Sequence, residues 1–159
     1  MISAKVTLTQ GLKTSRQFVA ETGSGHHILL DDAVGATGAK PIELVAVALA
    51  GCTAFDVITI LHQKHHQKIT GYQVRVEAEQ AGLPPQVFTK VSIHHMLMGL
   101  GIDSAAVEQA IHLSEDKYCS VGAMLKQTAS IETSYEVVEE EAERTRANSP
   151  IAKVSLVTT

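Results

Sequence analysis

The sequence predicts an α+β fold. Short alternating strands come in adjacent runs, in the order βββ-α-ββ-α-α-β, so that neighbours can pair as antiparallel strands. One long apolar helix, from Pro41 to about His65, separates the first run from the second. At 159 residues the chain suits one domain, read as residues 1–138, with 139–159 a polar C-terminal extension.

The strands of the first run are Lys5 to Thr9, Arg16 to Glu21 and His27 to Asp31, with Gly11, Gly23 and Gly25 as turn residues. A β-meander is expected there. A glycine-bearing loop over 32–40 leads to Pro41, which suits a first helical turn because its missing N–H would have no partner there. Glu43 in that turn complements the helix dipole. The helix is apolar on nearly every side, which predicts burial all round. Ala48, Ala50, Gly51 and Ala54 leave room for another backbone or a ligand to come close.

Thr70 to Gln80 alternates, with Val74, Val76 and Ala78 on one face and Gln73, Arg75, Glu77 and Glu79 on the other, the pattern of a half-buried strand. Ala81–Gln86 breaks it, and Val87 to Met98 returns as the second arm of a hairpin. Asp103 or Ser104 caps a helix through Leu113 that buries Val107, Ala110 and Ile111. A short helix over Val121 to Gln127 and a strand carrying Ile131, Thr133, Tyr135 and Val137 follow. Beyond Glu139 the chain is polar and poorly periodic, an exposed arm with an added strand around Val154 to Val157.

Composition is ordinary for a soluble protein, with 45% hydrophobic and 19% charged residues and a net charge of −4. No basic stripe points to nucleic acid. The first ten residues lack the apolar run of a signal peptide, and two cysteines are too few for an extracellular disulfide framework, so a cytoplasmic location is expected. Ile42 to Leu61 has the length of a membrane span, but Glu43 and Asp56 within it argue for a buried core helix instead.

The residues fit for chemistry are Cys52, mid-helix, and Cys119, at a helix start where free N–H groups and the dipole favour a thiolate. A thiolate meeting a peroxide gives a sulfenic acid, which a second thiol converts to a disulfide. Buried cysteines can also act as small hydrophobes. Asp56 lies one turn after Cys52 on the same face and disfavours a thiolate there. His62, His65 and His66 share helical spacing but lack the Glu of a His-Glu-x-x-His motif, so an exposed helix end is the plainer reading and no metal ligands are assigned. His26-His27 and His94-His95 are adjacent in strands and point to opposite faces, and His112 precedes Cys119 by seven residues on a helix surface.

Pro41-Ile-Glu-Leu44, Ala48-Leu-Ala-Gly-Cys-Thr53 and Leu113-Ser-Glu-Asp-Lys-Tyr-Cys-Ser-Val121 together resemble the OsmC/Ohr family of osmotically inducible and organic-hydroperoxide-resistance proteins, in a less characterised OsmC-like branch. The resemblance runs from about residue 5 to 138, making residues 1–138 one OsmC-like domain. It implies an intertwined homodimer built around the long helix. It also implies a peroxidatic Cys52 and a resolving Cys119 that reduce organic hydroperoxides at the expense of a dithiol reductant, without metal or organic cofactor. In the family's peroxidases an arginine, held by a glutamate, assists the first thiol. Arg16 is the candidate here. The glutamate position is occupied by Ile42, and Glu43 is nine residues before Cys52, half a turn away on a helix. Two functions are therefore expected: a thiol-dependent peroxidase for stress and redox defence, or a non-catalytic OsmC-fold dimer that binds a small apolar ligand or senses redox state.

Overall fold

The computed structural model describes residues 1–9, 16–32 and 37–140, together with the backbone of Ala152–Val157. The expected turn at Gly11, residues 33–36 of the 32–40 loop and residues 141–151 and 158–159 of the tail lie outside the described residues. The chain forms two compact units, Met1–Val45 and Ala46–Thr159.

In the first unit β1 (Ala4–Leu8), β2 (Phe18–Thr22) and β3 (His27–Leu30) form the expected antiparallel meander. The β2–β3 turn closes through Thr22 N–H donating to the His26 carbonyl at 2.9 Å, with Gly25 at φ +83°, a conformation that a residue without Cβ adopts freely. The long helix α1 (Pro41–Gln63) starts at the predicted proline. The Lys40 backbone N–H donates to Glu43 Oε2 at 2.9 Å, and Lys40 Nζ lies 3.7 Å from Glu43 Oε1. Glu43 thus caps its own helix, the reciprocal half of a capping box.

In the second unit β4 (Lys68–Gln80) and β5 (Phe88–Leu100) form the expected hairpin, and α2 (Ser104–Leu113) follows. Asp103 caps α2, accepting from the Ala105 N–H at 3.0 Å. A single π-helical turn, Ser114–Tyr118, then leads to α3 (Ser120–Leu125) and β6 (Ser130–Glu139). β7 (Ala152–Val157) pairs antiparallel with β6 and completes a sheet of order β4-β5-β6-β7.

One ladder departs from the antiparallel expectation: β5 and β6 run parallel, from Lys90 opposite Ser130 to Gly99 opposite Glu139. The reason is the helical segment between them, which carries the chain back to the starting end of β5, as every parallel pair requires. Gly99 near the end of β5 has the carbonyl oxygen of Lys68 only 2.1 Å from where a Cβ would stand, so this strand end accepts no side chain.

The core of this unit joins Val57, Ile60 and Leu61 of α1 to Leu97, Tyr135 and Val137 of the sheet and to Ala106, Val107, Ala110 and Ile111 of α2. Burial of α1 all round is corrected by the structure. Leu49, Thr53, Val57, Ile60 and Leu61 form one buried stripe, while Val47 and Phe55 are 63% and 78% exposed in the single chain. Its sheet and α2 supply apolar neighbours for one face only. The helix also ends at Gln63, and His66 has a left-handed φ of 51°, so His65 and His66 leave the face that their spacing suggested.

The adjacent histidines of β5 do point to opposite faces. His94 is half-buried, with Nδ1 2.8 Å from Ser134 Oγ and Nε2 3.6 Å from Glu136. His95 is wholly buried, stacked on Tyr72 at 6.0 Å, with Nδ1 2.7 Å from the Tyr72 hydroxyl. Burial, then the neighbouring His94, lowers the His95 pKa to about 4.

A base whose folded pKa lies below its unfolded value holds fewer protons in the native state across the interval between them. Full stability is therefore present above about pH 6.5 and is lost as the pH falls toward 4, by about 3 kcal/mol for this one residue. Denaturant midpoints measured from pH 7 to pH 4 should show this decline, and His95→Gln should flatten it; an unchanged slope in the variant would refute the assignment. Leu61→Ala, at a site with no exposure, should cost about 3 kcal/mol by the same measurement.

Candidate functional site

Cys52 and Asp56 are four residues apart on α1, 40° past one full turn, so their side chains rise from the same flank of the helix beside the buried stripe. Cys119 arrives from the other direction, at the junction of the π-helical turn and α3. The Cys52 and Cys119 sulfurs and an Asp56 carboxylate oxygen all lie within 4.8 Å of one another. Both cysteines are free thiols; Cys52 is half-buried and Cys119 buried.

Ser114 holds this cluster together. It has no exposure, its Oγ donates to Asp56 Oδ2 at 3.0 Å, and the same oxygen lies 3.3 Å from Thr53 Oγ1. Its carbonyl accepts the Cys119 backbone N–H at 2.8 Å, which closes the π-helical turn and fixes where the second thiol stands. Sequence reading singled out Cys52, Asp56 and Cys119 but gave Ser114 and Thr53 no part in the site. The available signal was a small hydroxyl residue next to Leu113, five positions before a cysteine. Its partners on α1, however, are 58 and 61 residues away.

The expectation that a helix N-terminus makes Cys119 a ready thiolate is overturned. The Gly122 N–H does donate to Cys119 Sγ at 3.3 Å and lowers its pKa. Burial outweighs that, helped by a hydrogen bond from the Cys119 thiol to the Cys52 sulfur, and the Cys119 pKa is pushed up to about 12. The short helix has little dipole to set against desolvation and the neighbouring Asp56. Burial, with Asp56 adding to it, also pushes the Tyr72 phenol up, so the surroundings of Asp56 oppose further negative charge.

A cavity of about 10 Å³, the room of a single water, lies against Cys119 and is lined by Leu49, Thr53, Ile93, Glu115 and Lys126 among others. Thr133 Oγ1 donates to Glu115 Oε1 there, while Glu115 Oε2 is buried with no hydrogen-bond partner among the described residues. At Gly51, next to Cys52 in the chain, no described atom lies within 4 Å of where a Cβ would stand, and Cys52 itself is half-buried.

Arg16 belongs to the first unit. Its side chain is 81% exposed, its Nε lies 3.5 Å from Asp32 Oδ2, and its backbone N–H donates to the same oxygen at 3.2 Å. Glu43 is occupied at the N-terminus of α1, in agreement with its position half a turn from Cys52. His112 lies on the surface of α2 beside Glu108 and Asp116.

The OsmC-like protein family model matches residues 34–134, a span that includes both cysteines. Protein YhfA of Escherichia coli (strain K12) is 39% identical over 137 residues, covering 86% of this chain and 98% of that protein. The crystal structure of a hypothetical protein from Aquifex aeolicus VF5 superposes with a TM-score of 0.74 at 29% identity, covering 89% of this chain and all of that one. The crystal structure of an organic hydroperoxide resistance protein from Legionella pneumophila shares the fold, with a TM-score of 0.62 at 15% identity over 85% of this chain and 96% of that one. The match covers most of the chain at both levels, sequence and fold: the chain belongs to the OsmC-like protein family.

Proposed function

We propose that this protein is a thiol-dependent peroxidase that reduces organic hydroperoxides. The observation that carries the reading is the unequal pair of sulfurs within 4.8 Å, one half-buried and one buried. Cys52, as thiolate, attacks the distal peroxide oxygen; the O–O bond breaks, the alkoxide leaves with a proton as an alcohol, and Cys52 becomes a sulfenic acid. The Cys119 sulfur then displaces hydroxide from that sulfenic acid, giving the disulfide and, with the thiol proton, water. A dithiol returns both cysteines to the reduced state by two exchanges. A resolving thiol whose pKa is held near 12 does not compete for peroxide, which fits Cys119 to the second step.

Arg16 is assigned the role of the cation that favours the Cys52 thiolate against Asp56, contributed by the same chain or by a partner. A homodimer is part of this reading, because Val47 and Phe55 leave an apolar face of α1 that a second copy would cover. The Legionella pneumophila neighbour is described as an organic hydroperoxide resistance protein, which favours peroxide over other oxidants as the substrate class. A reducing cytoplasm suits two thiols that must be regenerated.

The test is to mix reduced protein with an organic hydroperoxide in excess dithiol and follow peroxide loss. Catalytic turnover should vanish in Cys52→Ser. Cys119→Ser should undergo a single stoichiometric oxidation and then slow. Slow stoichiometric oxidation of the unaltered protein, without turnover, would overturn the proposal. Arg16→Ala should reduce the rate of the first oxidation by about tenfold or more, the size of one pKa unit at the thiol, and an unchanged rate would remove Arg16 from the mechanism.

A further inference from the structure

Two sulfurs and a carboxylate oxygen that converge within 4.8 Å form a donor set as well as a redox pair. Two thiolates on one zinc ion stand about 3.8 Å apart, given Zn–S bonds of about 2.3 Å and tetrahedral angles, and a carboxylate oxygen at about 2.0–2.2 Å completes three corners. The observed separations, at most 4.8 Å, reach that geometry by a contraction of up to about 1 Å. Three protein ligands would leave a fourth position on the side of Cys52 and Asp56, the two half-buried members, through which an ion and a water can pass.

The groups behind these donors are also placed as a metal site requires. Ser114, fully buried, donates to Asp56 Oδ2 at 3.0 Å and so orients the carboxylate. The Gly122 N–H points at Cys119 Sγ from 3.3 Å, and a side chain at Gly122 would crowd that sulfur, with Sγ 3.3 Å from the added Cβ. Outer contacts of this kind hold ligands in position and tune the metal. The chemistry of the set selects the ion: two soft sulfurs and one carboxylate suit Zn²⁺ and disfavour Mg²⁺ and Ca²⁺, which take oxygen ligands.

We propose that the reduced protein binds one Zn²⁺ through Cys52, Asp56 and Cys119. Binding releases two thiol protons, and the +2 ion with two thiolates and a carboxylate leaves a net charge of −1 at the site. In this state neither sulfur is a free nucleophile. One equivalent of a hydroperoxide takes two electrons from the pair: the S–S bond forms, the O–O bond breaks to alcohol and water with two protons from solvent, and the ion loses two of its three ligands and is released. The inference concerns the reduced thiols alone and does not rest on peroxide turnover.

Metal-free protein reduced with a phosphine is titrated anaerobically with Co²⁺ as the optical probe, then with Zn²⁺. One equivalent of Co²⁺ per chain should give a thiolate-to-cobalt charge-transfer absorption that one equivalent of Zn²⁺ abolishes. Cys52→Ser, at the more exposed position, should lower Zn²⁺ affinity by about 100-fold or more, and Ser114→Ala by about tenfold with the charge-transfer band retained. Circular dichroism confirms that each variant is folded. Absence of the band at one equivalent would overturn the proposal, as would unchanged Zn²⁺ affinity in the Cys52→Ser/Cys119→Ser variant. Cobalt binding without peroxidase activity would refute the peroxidase reading and leave this site standing; turnover without cobalt binding would do the reverse.

Discussion

The parallel pairing of β5 with β6 is the constraint from which the site follows. Two strands running the same way cannot be joined by a tight turn, so the chain has to travel back along the sheet between them. Here the return path is α2, the π-helical turn and α3, and α2 and α1 share one apolar core over the sheet. The π-helical turn is thereby brought against α1, where Ser114 meets Thr53 and Asp56. Cys119 comes to Cys52 as a by-product of burying α2.

The chemistry of the cluster is set by three groups that would each be negative when ionised. In a half-buried setting such groups cannot all carry charge without a compensating cation. The protein meets this in part by keeping Cys119 neutral and by having Ser114 donate to the carboxylate. Such an arrangement is unstable toward any species that removes negative charge. An electrophilic oxygen does so by taking electrons from sulfur, and a divalent cation does so by direct coordination. Both readings of the site draw on the same excess of negative charge.

Much of the fold was legible from periodicity. The meander, the hairpin, the Asp103 cap and the last core strand each arise from local pattern and turn chemistry, and each stands where the alternation of Val74, Val76 and Ala78 or of Thr133, Tyr135 and Val137 put it. The two cysteines and Asp56 were legible because one helical turn relates Cys52 to Asp56. Three things were hidden. The direction of β6 depends on the return path and not on its own residues. The exposure of Val47 and Phe55 depends on what else covers α1, which apolar composition cannot report. The character of Cys119 depends on burial, and burial outweighed the helix terminus that the sequence advertised.

The π-helical turn has a further consequence for how this segment can change over evolutionary time. A turn closed from Ser114 to Cys119 contains one residue more than an α-helical closure would, the footprint of a single-residue insertion in a helix. Deleting any one residue between them would restore ordinary helical winding and rotate the cysteine by about 100° about the axis. Side chains within Ser114–Tyr118 that face outward, such as Asp116 and Lys117, are free to drift, because the backbone bond and not their chemistry sets the spacing. The segment should therefore accept substitutions while remaining closed to insertions and deletions, a pattern of variation in which length is kept more strictly than composition.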